Sequence, residues 1–175
     1  MLFRSENTMK KGEKEAYGLL DEMGIEYKRY EHLAADTMEV CDEIDKTTGV
    51  AHCKNLFLTN RQCTNFFLIM MRGGKRFRTA EASKQLGTAR LSFAEDELLY
   101  EKLGLMPGSV TPLGLMNDEK HEIKVAMDKD LIDDDMICVH PCINTASVTM
   151  KTSELIRLIH NLGYELTFIE LTGES

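Results

Sequence analysis

The sequence predicts an α+β fold: one domain, residues 1–175, with a mixed, mostly antiparallel β-sheet and helices around it. Three observations lead there. Helical and extended patterns interleave irregularly, with no repeating βαβ period and no internal repeat. Two apolar runs, Leu56–Leu58 and Phe66–Met71, flank the polar turn NRQCTN, which predicts a β-hairpin buried on both faces. A chain of 175 residues, 43% hydrophobic and 29% charged, can also bury one core without staples, and no linker or low-complexity stretch divides it.

The elements follow in order. Residues 10–23 have helical spacing and stop at Gly24, and IEYKRYE reads as the first strand. Met38–Asp45 predicts a second helix, the hairpin follows, and Thr79–Leu86 predicts a short helix ending at Gly87. ARLSF is a short strand leading into a helix that ends near Leu103 and Gly104. Ser92, with Glu95 three residues later, fits a capping box at its start. The two prolines and two glycines of LMPGSVTPLGL predict a shaped loop. EIKVAMD, MICVH and ASVTM are further strands. Thr152–Leu162 carries apolar residues at helical spacing and is closed by Gly163, and ELTFIEL is the last strand.

Composition narrows the function classes. No apolar run approaches the roughly 20 residues of a membrane helix, and the N-terminus turns polar after Phe3, too early for a signal peptide. Five cysteines without a CxxC spacing suit free thiols, so a cytoplasmic location with no membrane contact is expected. The net charge of -8 hides an asymmetry. Lys54–Arg90 holds eight basic residues against Glu81 alone, whereas Leu91–Asp135 holds twelve acids against four bases. Such blocks are either one anion-binding face beside a soluble one, or merely solvated charge.

Four segments carry the chemistry: Lys54-Asn55-Leu56-Phe57-Leu58, Ala89-Arg90-Leu91-Ser92-Phe93-Ala94, Gly108-Ser109-Val110-Thr111-Pro112-Leu113-Gly114-Leu115 and His140-Pro141-Cys142-Ile143-Asn144-Thr145-Ala146. In this order and spacing they resemble the YbaK-like aminoacyl-tRNA deacylases, which also occur as the editing insertion of bacterial prolyl-tRNA synthetases. The resemblance runs from about Glu13 to Leu171 and is nearest to the free-standing branch called ProXp-ala or PrdX. Two departures stand near the N-terminus. His32 is not followed by the family's frequent proline, and Cys53 replaces a small or hydroxylated residue. Both positions are expected to border the amino-acid pocket.

The resemblance implies a sheet or partial barrel surrounded by helices, and substrate-assisted hydrolysis of mischarged tRNA, foremost alanyl-tRNA for proline. Such a reaction needs placement and charge stabilisation rather than a strong nucleophile. Lys54 would reach a phosphate of the CCA end, where a compact ammonium binds well; taken alone it would read as a surface lysine beside a core strand. Gly108 permits close backbone approach, and Ser109, Val110, Thr111 and Pro112 continue the GxxxP loop that would present backbone groups to the ammonium and ester. His140, with Asn55, Asn144 and Thr145, would position the aminoacyl group, His140 not serving as an obligatory general base. Arg90 would grip the acceptor stem, with Lys75, Arg76 and Arg78 adding phosphate contacts. No cofactor is implied; mischarged tRNA, and a prolyl-tRNA synthetase beside it, are the implied partners.

Three alternatives compete. Cys138, His140 and Cys142 alternate along one strand, so they could converge on zinc, although Pro141 disturbs the geometry. A non-catalytic tRNA-binding module would keep the fold without turnover. Within the deacylases, the runner-up removes cysteine from proline tRNA.

Overall fold

The computed structural model describes residues 10–173, so the polar N-terminal stretch lies outside the described residues as far as residue 9. Helix α1 (Glu13–Glu22) opens where Glu15 accepts from the Gly12 amide at 2.7 Å. Strand β1 (Lys28–Glu31) and helix α2 (Met38–Thr48) follow, α2 running three residues beyond its predicted end. Thr37 caps α2, its hydroxyl accepting from the Val40 amide at 3.2 Å, and left-handed Gly49 ends it.

The predicted hairpin is present. Strands β2 (Cys53–Thr59) and β3 (Phe66–Arg72) pair antiparallel from Cys53↔Arg72 to Thr59↔Phe66. Asn60 shapes the turn by accepting from the amides of Thr64 and Asn65, each at 2.9 Å. Helix α3 (Thr79–Gln85), strand β4 (Ser92–Phe93) and helix α4 (Asp96–Leu103) come next. Here the sequence reading is corrected: Ser92 caps no helix. Its backbone pairs with Thr59 in β4, and α4 starts only after Glu95, itself the N-cap. A Ser-x-x-Glu pattern cannot register the strand β2 alongside it, and the cross-strand pairing wins.

A 3₁₀ helix, Pro112–Asn117, takes over the second half of the predicted loop, with proline in its first turn where the missing N–H is harmless. Strand β5 (Ile123–Asp128), an unpredicted 3₁₀ turn (Lys129–Asp133), β6 (Met136–Val139), β7 (Ala146–Lys151), helix α5 (Thr152–Asn161) and β8 (Leu166–Ile169) complete the order.

The strands form two sheets, neither closed into a barrel. One is antiparallel, in the order β1-β7-β6; the other runs β4-β2-β3-β5-β8, antiparallel as far as β3 and parallel from there. An isolated bridge between His52 and Cys138 ties β6 to the start of β2. Side chains alternate across β2 and β3, so Phe57, Leu68 and Met70 enter the main core with α1, α4, α5 and the smaller sheet. Leu58, Phe67, Ile69 and Met71 enter a second core that includes Ala82 of α3. Burial on both faces is why these runs are continuously apolar.

Candidate active site

Three loops meet beside the smaller sheet. Gly108, at a φ of 86°, turns the 106–112 loop sharply. A β-carbon there would sit 3.1 Å from Asn144 Nδ2 and 3.5 Å from Asp36 Oδ1. Asn144 Nδ2 donates to Asp36 Oδ1 at 2.9 Å, the Ala35 amide donates to the Asn144 carbonyl at 3.0 Å, and the His32 amide donates to the Thr145 carbonyl at 2.9 Å. Ser109 and Thr111 are buried and turned inward: the Ser109 hydroxyl donates to the Met106 carbonyl at 2.8 Å, and Thr111 accepts from the Leu113 amide at 3.3 Å. Their hydroxyls brace the loop, Pro112 is buried below it and Val110 is half-buried, which leaves backbone exposed at Gly108. The structure therefore brings Gly108 and Asn144 together, with Thr145 on the adjoining exposed turn.

His140 lies one residue past β6, where its Nδ1 donates to the Ala146 carbonyl at 2.9 Å. A carbonyl can only accept, so Nδ1 carries the proton and a neutral ring offers Nε2 as an acceptor. Burial pushes the His140 pKa down, with His32 and His52 adding like charge. The His32 ring lies 6.0 Å away, its Nε2 hydrogen-bonded to the Ser147 hydroxyl at 2.8 Å. His140 also lines a cavity of about 40 Å³ with Ala35, Cys53, Cys138 and His52. His52 is held by Asp45, whose Oδ1 takes both its backbone amide and its Nδ1 at 2.9 Å.

Lys54 stands apart from this group. Alternation places Cys53 and Asn55 on one face of β2 and Lys54 on the other, so its side chain does not enter the cavity that Cys53 lines. Its amine donates to the Lys75 carbonyl at 2.8 Å, and burial alone pushes its pKa down. A half-buried ammonium with no ion pair to a carboxylate among the described residues is a candidate anion site.

Lys75 is engaged within the protein. Its amine lies 2.6 Å from both Asp128 and Asp130 and donates to the Leu171 carbonyl, an internal tie between segments far apart in sequence. Arg72 is paired likewise, at 2.8 Å with Asp134. The basic and acidic blocks of the sequence thus partly neutralise each other. Arg90 and Arg76 are exposed and Arg78 half-buried. Arg90 lines a groove with Arg61 and Phe93 along the β4 edge.

The Cys138, His140 and Cys142 set does not converge. Cys142 adopts a left-handed φ of 67° beyond the strand and packs into the main core. Among the described residues no group of three His, Cys, Asp or Glu side chains is placed to hold a metal ion. Burial pushes the Cys53 thiol up to about 12 and that of Cys138 up to about 11, which leaves both protonated near neutrality. The sequence places the segment beginning at His32 beside the amino-acid pocket but gives His32 and Asp36 no role, and it does not single out the Asp45–His52 pair. No motif marks Asp45 or His52. No helix among the described residues is long and apolar enough to cross a membrane.

Comparison with known proteins bears on this arrangement. The family model of the aminoacyl-tRNA editing domain matches residues 32–158, which contain all three loops and Lys54. The prolyl-tRNA editing protein ProX of Acetoanaerobium sticklandii is 32% identical over 152 residues, covering 87% of this chain and 93% of its own. The prolyl-tRNA synthetase associated domain-containing protein 1 of Danio rerio is 32% identical over 149 residues, covering 83% of this chain and 80% of its own. A crystal structure of a candidate trans-editing enzyme for prolyl tRNA synthetase shares the fold, with a TM-score of 0.70 at 19% identity over 93% of this chain and 99% of that one.

Proposed function

The chain belongs to the aminoacyl-tRNA editing domain family and is an aminoacyl-tRNA deacylase, and on that premise we propose that it is a single-domain trans-editing hydrolase clearing alanine from proline tRNA. The observation that carries this reading is the meeting of the Gly108 loop with Asn144 and Asp36, beside a cavity bordered by His140. The Asp36 carboxylate takes the substrate's ammonium. Backbone at Gly108 and the side chains of Asn144 and Asn55 hold the ester in place. Thr145, on the exposed rim, meets the terminal ribose.

Lys54, at the start of β2, neutralises a phosphate of the CCA end. A water oriented by the free ribose hydroxyl adds to the ester carbonyl, and His140 Nε2 accepts a hydrogen bond from that water or hydroxyl. The carbon–oxygen bond to the ribose then breaks, the ribose oxygen takes up the proton, and free alanine and intact tRNA leave. Arg90, with Arg76 and Arg78, contacts acceptor-stem phosphates. A prolyl-tRNA synthetase is the natural neighbour of such an activity in the cytoplasm, where tRNA is charged.

Selectivity rests on size. A cavity of about 40 Å³ takes a small group, and admitting only smaller products is how editing sites reject the cognate residue. The test is single-turnover deacylation of alanyl-, cysteinyl- and prolyl-tRNA built on one proline tRNA. Fast alanyl, slow cysteinyl and negligible prolyl hydrolysis is expected. An alanyl-to-prolyl ratio near one removes the size sieve, faster cysteinyl turnover moves the chain to the cysteine-clearing reading, and no turnover at all leaves a binding module.

A further inference from the structure

Phe93 is the feature that the hydrolytic site leaves unexplained. It is 59% exposed, although it sits on strand β4 in a well-packed part of the molecule. Its ring is not loose: it meets Phe77 edge-on with centroids 5.9 Å apart, and Phe77 packs against the second core. One side of the ring is thereby held while much of it stays open to solvent. An exposed, oriented aromatic ring is costly in water and useful for stacking.

The register says what such a ring could meet. Phe93 lies directly opposite Leu58 in the antiparallel β4–β2 pair, so the two side chains share a face of the sheet. Lys54 and Leu58 are four residues apart on β2 and therefore share that face too. Four residues at ~3.3 Å and one strand spacing of ~4.8 Å place Phe93 about 14 Å from Lys54. That is roughly four base rises of ~3.4 Å. Arg90 and Arg61 line the groove that Phe93 borders, and the acidic side chains Glu95, Glu97 and Glu101 line it too. A polyanion on Phe93 would be drawn towards the arginines and away from the glutamates.

We propose that Phe93 is a stacking platform for an unpaired base of the tRNA 3′ end, a few nucleotides back from the esterified adenosine, with its backbone running between Lys54 and Arg90. This rests on the tRNA substrate of the proposed function and adds the place where the single strand is gripped. Stacking tolerates any base, so the platform supplies affinity and register rather than sequence choice.

The experiment uses an acceptor-stem minihelix with the fluorescent base 2-aminopurine at each unpaired 3′ position in turn, bound to the full chain. One position should be quenched on binding. Phe93→Ala should abolish that quenching and weaken binding about 5- to 150-fold, and Phe93→Tyr should restore both. Phe93→Leu, which fills the space but cannot stack, should resemble Phe93→Ala; it decides the matter if the alanine variant fails to fold. Unchanged quenching and affinity in the leucine variant overturn the platform. Hydrolysis of alanyl-tRNA by the wild type is measured alongside. A wild type that hydrolyses while Phe93→Leu binds normally loses only the platform. Phe93-dependent quenching without hydrolysis loses only the deacylase reading of substrate.

Discussion

Lys54 illustrates how a residue's environment separates function from stability. Burial pushes its pKa down, so the folded protein holds this charge at a disadvantage. Lys54→Met should therefore leave the melting temperature unchanged or slightly higher. Alanyl-tRNA hydrolysis should meanwhile fall by about thirty-fold to several thousand-fold, the effect of about 2–5 kcal/mol for a lost charge contact. Thermal melts beside single-turnover rates check both, and near-wild-type rates would remove the lysine from the mechanism. His140 makes the converse case. Its folded pKa lies below the ordinary histidine value, so on acidification through about 6.5 the unfolded chain takes up a proton first. Stability should fall with pH there, by at most about 1.4 kcal/mol per unit from this group. His140→Asn, which keeps a donor for the Ala146 carbonyl, should flatten that acid limb in melts between pH 7 and 5. An unchanged slope would mean that other groups govern it.

At the scale of elements, two glycines are required for different reasons. Gly108 needs its left-handed φ and stands 3.1 Å from Asn144 at the β-carbon position, so Gly108→Val should eliminate hydrolysis while tRNA binding persists. Gly73 has no positive φ, yet an added β-carbon would lie 2.2 Å from His52 Nε2. Gly73→Ala should displace the Asp45–His52 pair at the head of β2 and destabilise by about 1–3 kcal/mol; calorimetry with an unaltered melting point would refute the clash. Strongly periodic elements were legible in the sequence because each states its own burial pattern: the β2–β3 hairpin, α5 and α1 all stand where predicted. Ser92 and Lys75 were not, because their partners decide their roles. The Ser92 pattern reads as a cap, but its backbone pairs with Thr59; Lys75 reads as a free cation, but Asp128, far along the chain, holds its amine. The site was half legible for the same reason. Its loops carry motifs, but Asp36 joins the candidate site only through its bond to Asn144, 108 residues away.

Across the whole molecule, the charge pattern is less polar than the sequence suggests, since Lys75 and Arg72 spend their charge on Asp128, Asp130 and Asp134. Exposed Arg90 and Arg61 line the groove along the β4 edge, and Arg90 is the proposed acceptor-stem contact. Arg90→Ala should weaken tRNA binding and lower the slope of log affinity against log salt by about one. Binding measured from about 50 to about 200 mM salt, where phosphate contacts dominate, tests this, and an unchanged slope would make the segment solvated surface. The two-sheet topology carries a further consequence, for the order in which the protein assembles. Strand β1 pairs with β7, Lys28 meeting Thr149, so its ladder waits for chain synthesised more than a hundred residues later. The hairpin β2–β3 is local and can form early, whereas high contact order makes the β1–β7 closure slow. The segments bearing Asp36 and Asn144 are joined just beyond that ladder, by His32 to Thr145 and Ala35 to Asn144. A nascent chain on the ribosome can therefore have its hairpin, and the Lys54 that starts it, well before the segments bearing Asp36 and Asn144 can meet.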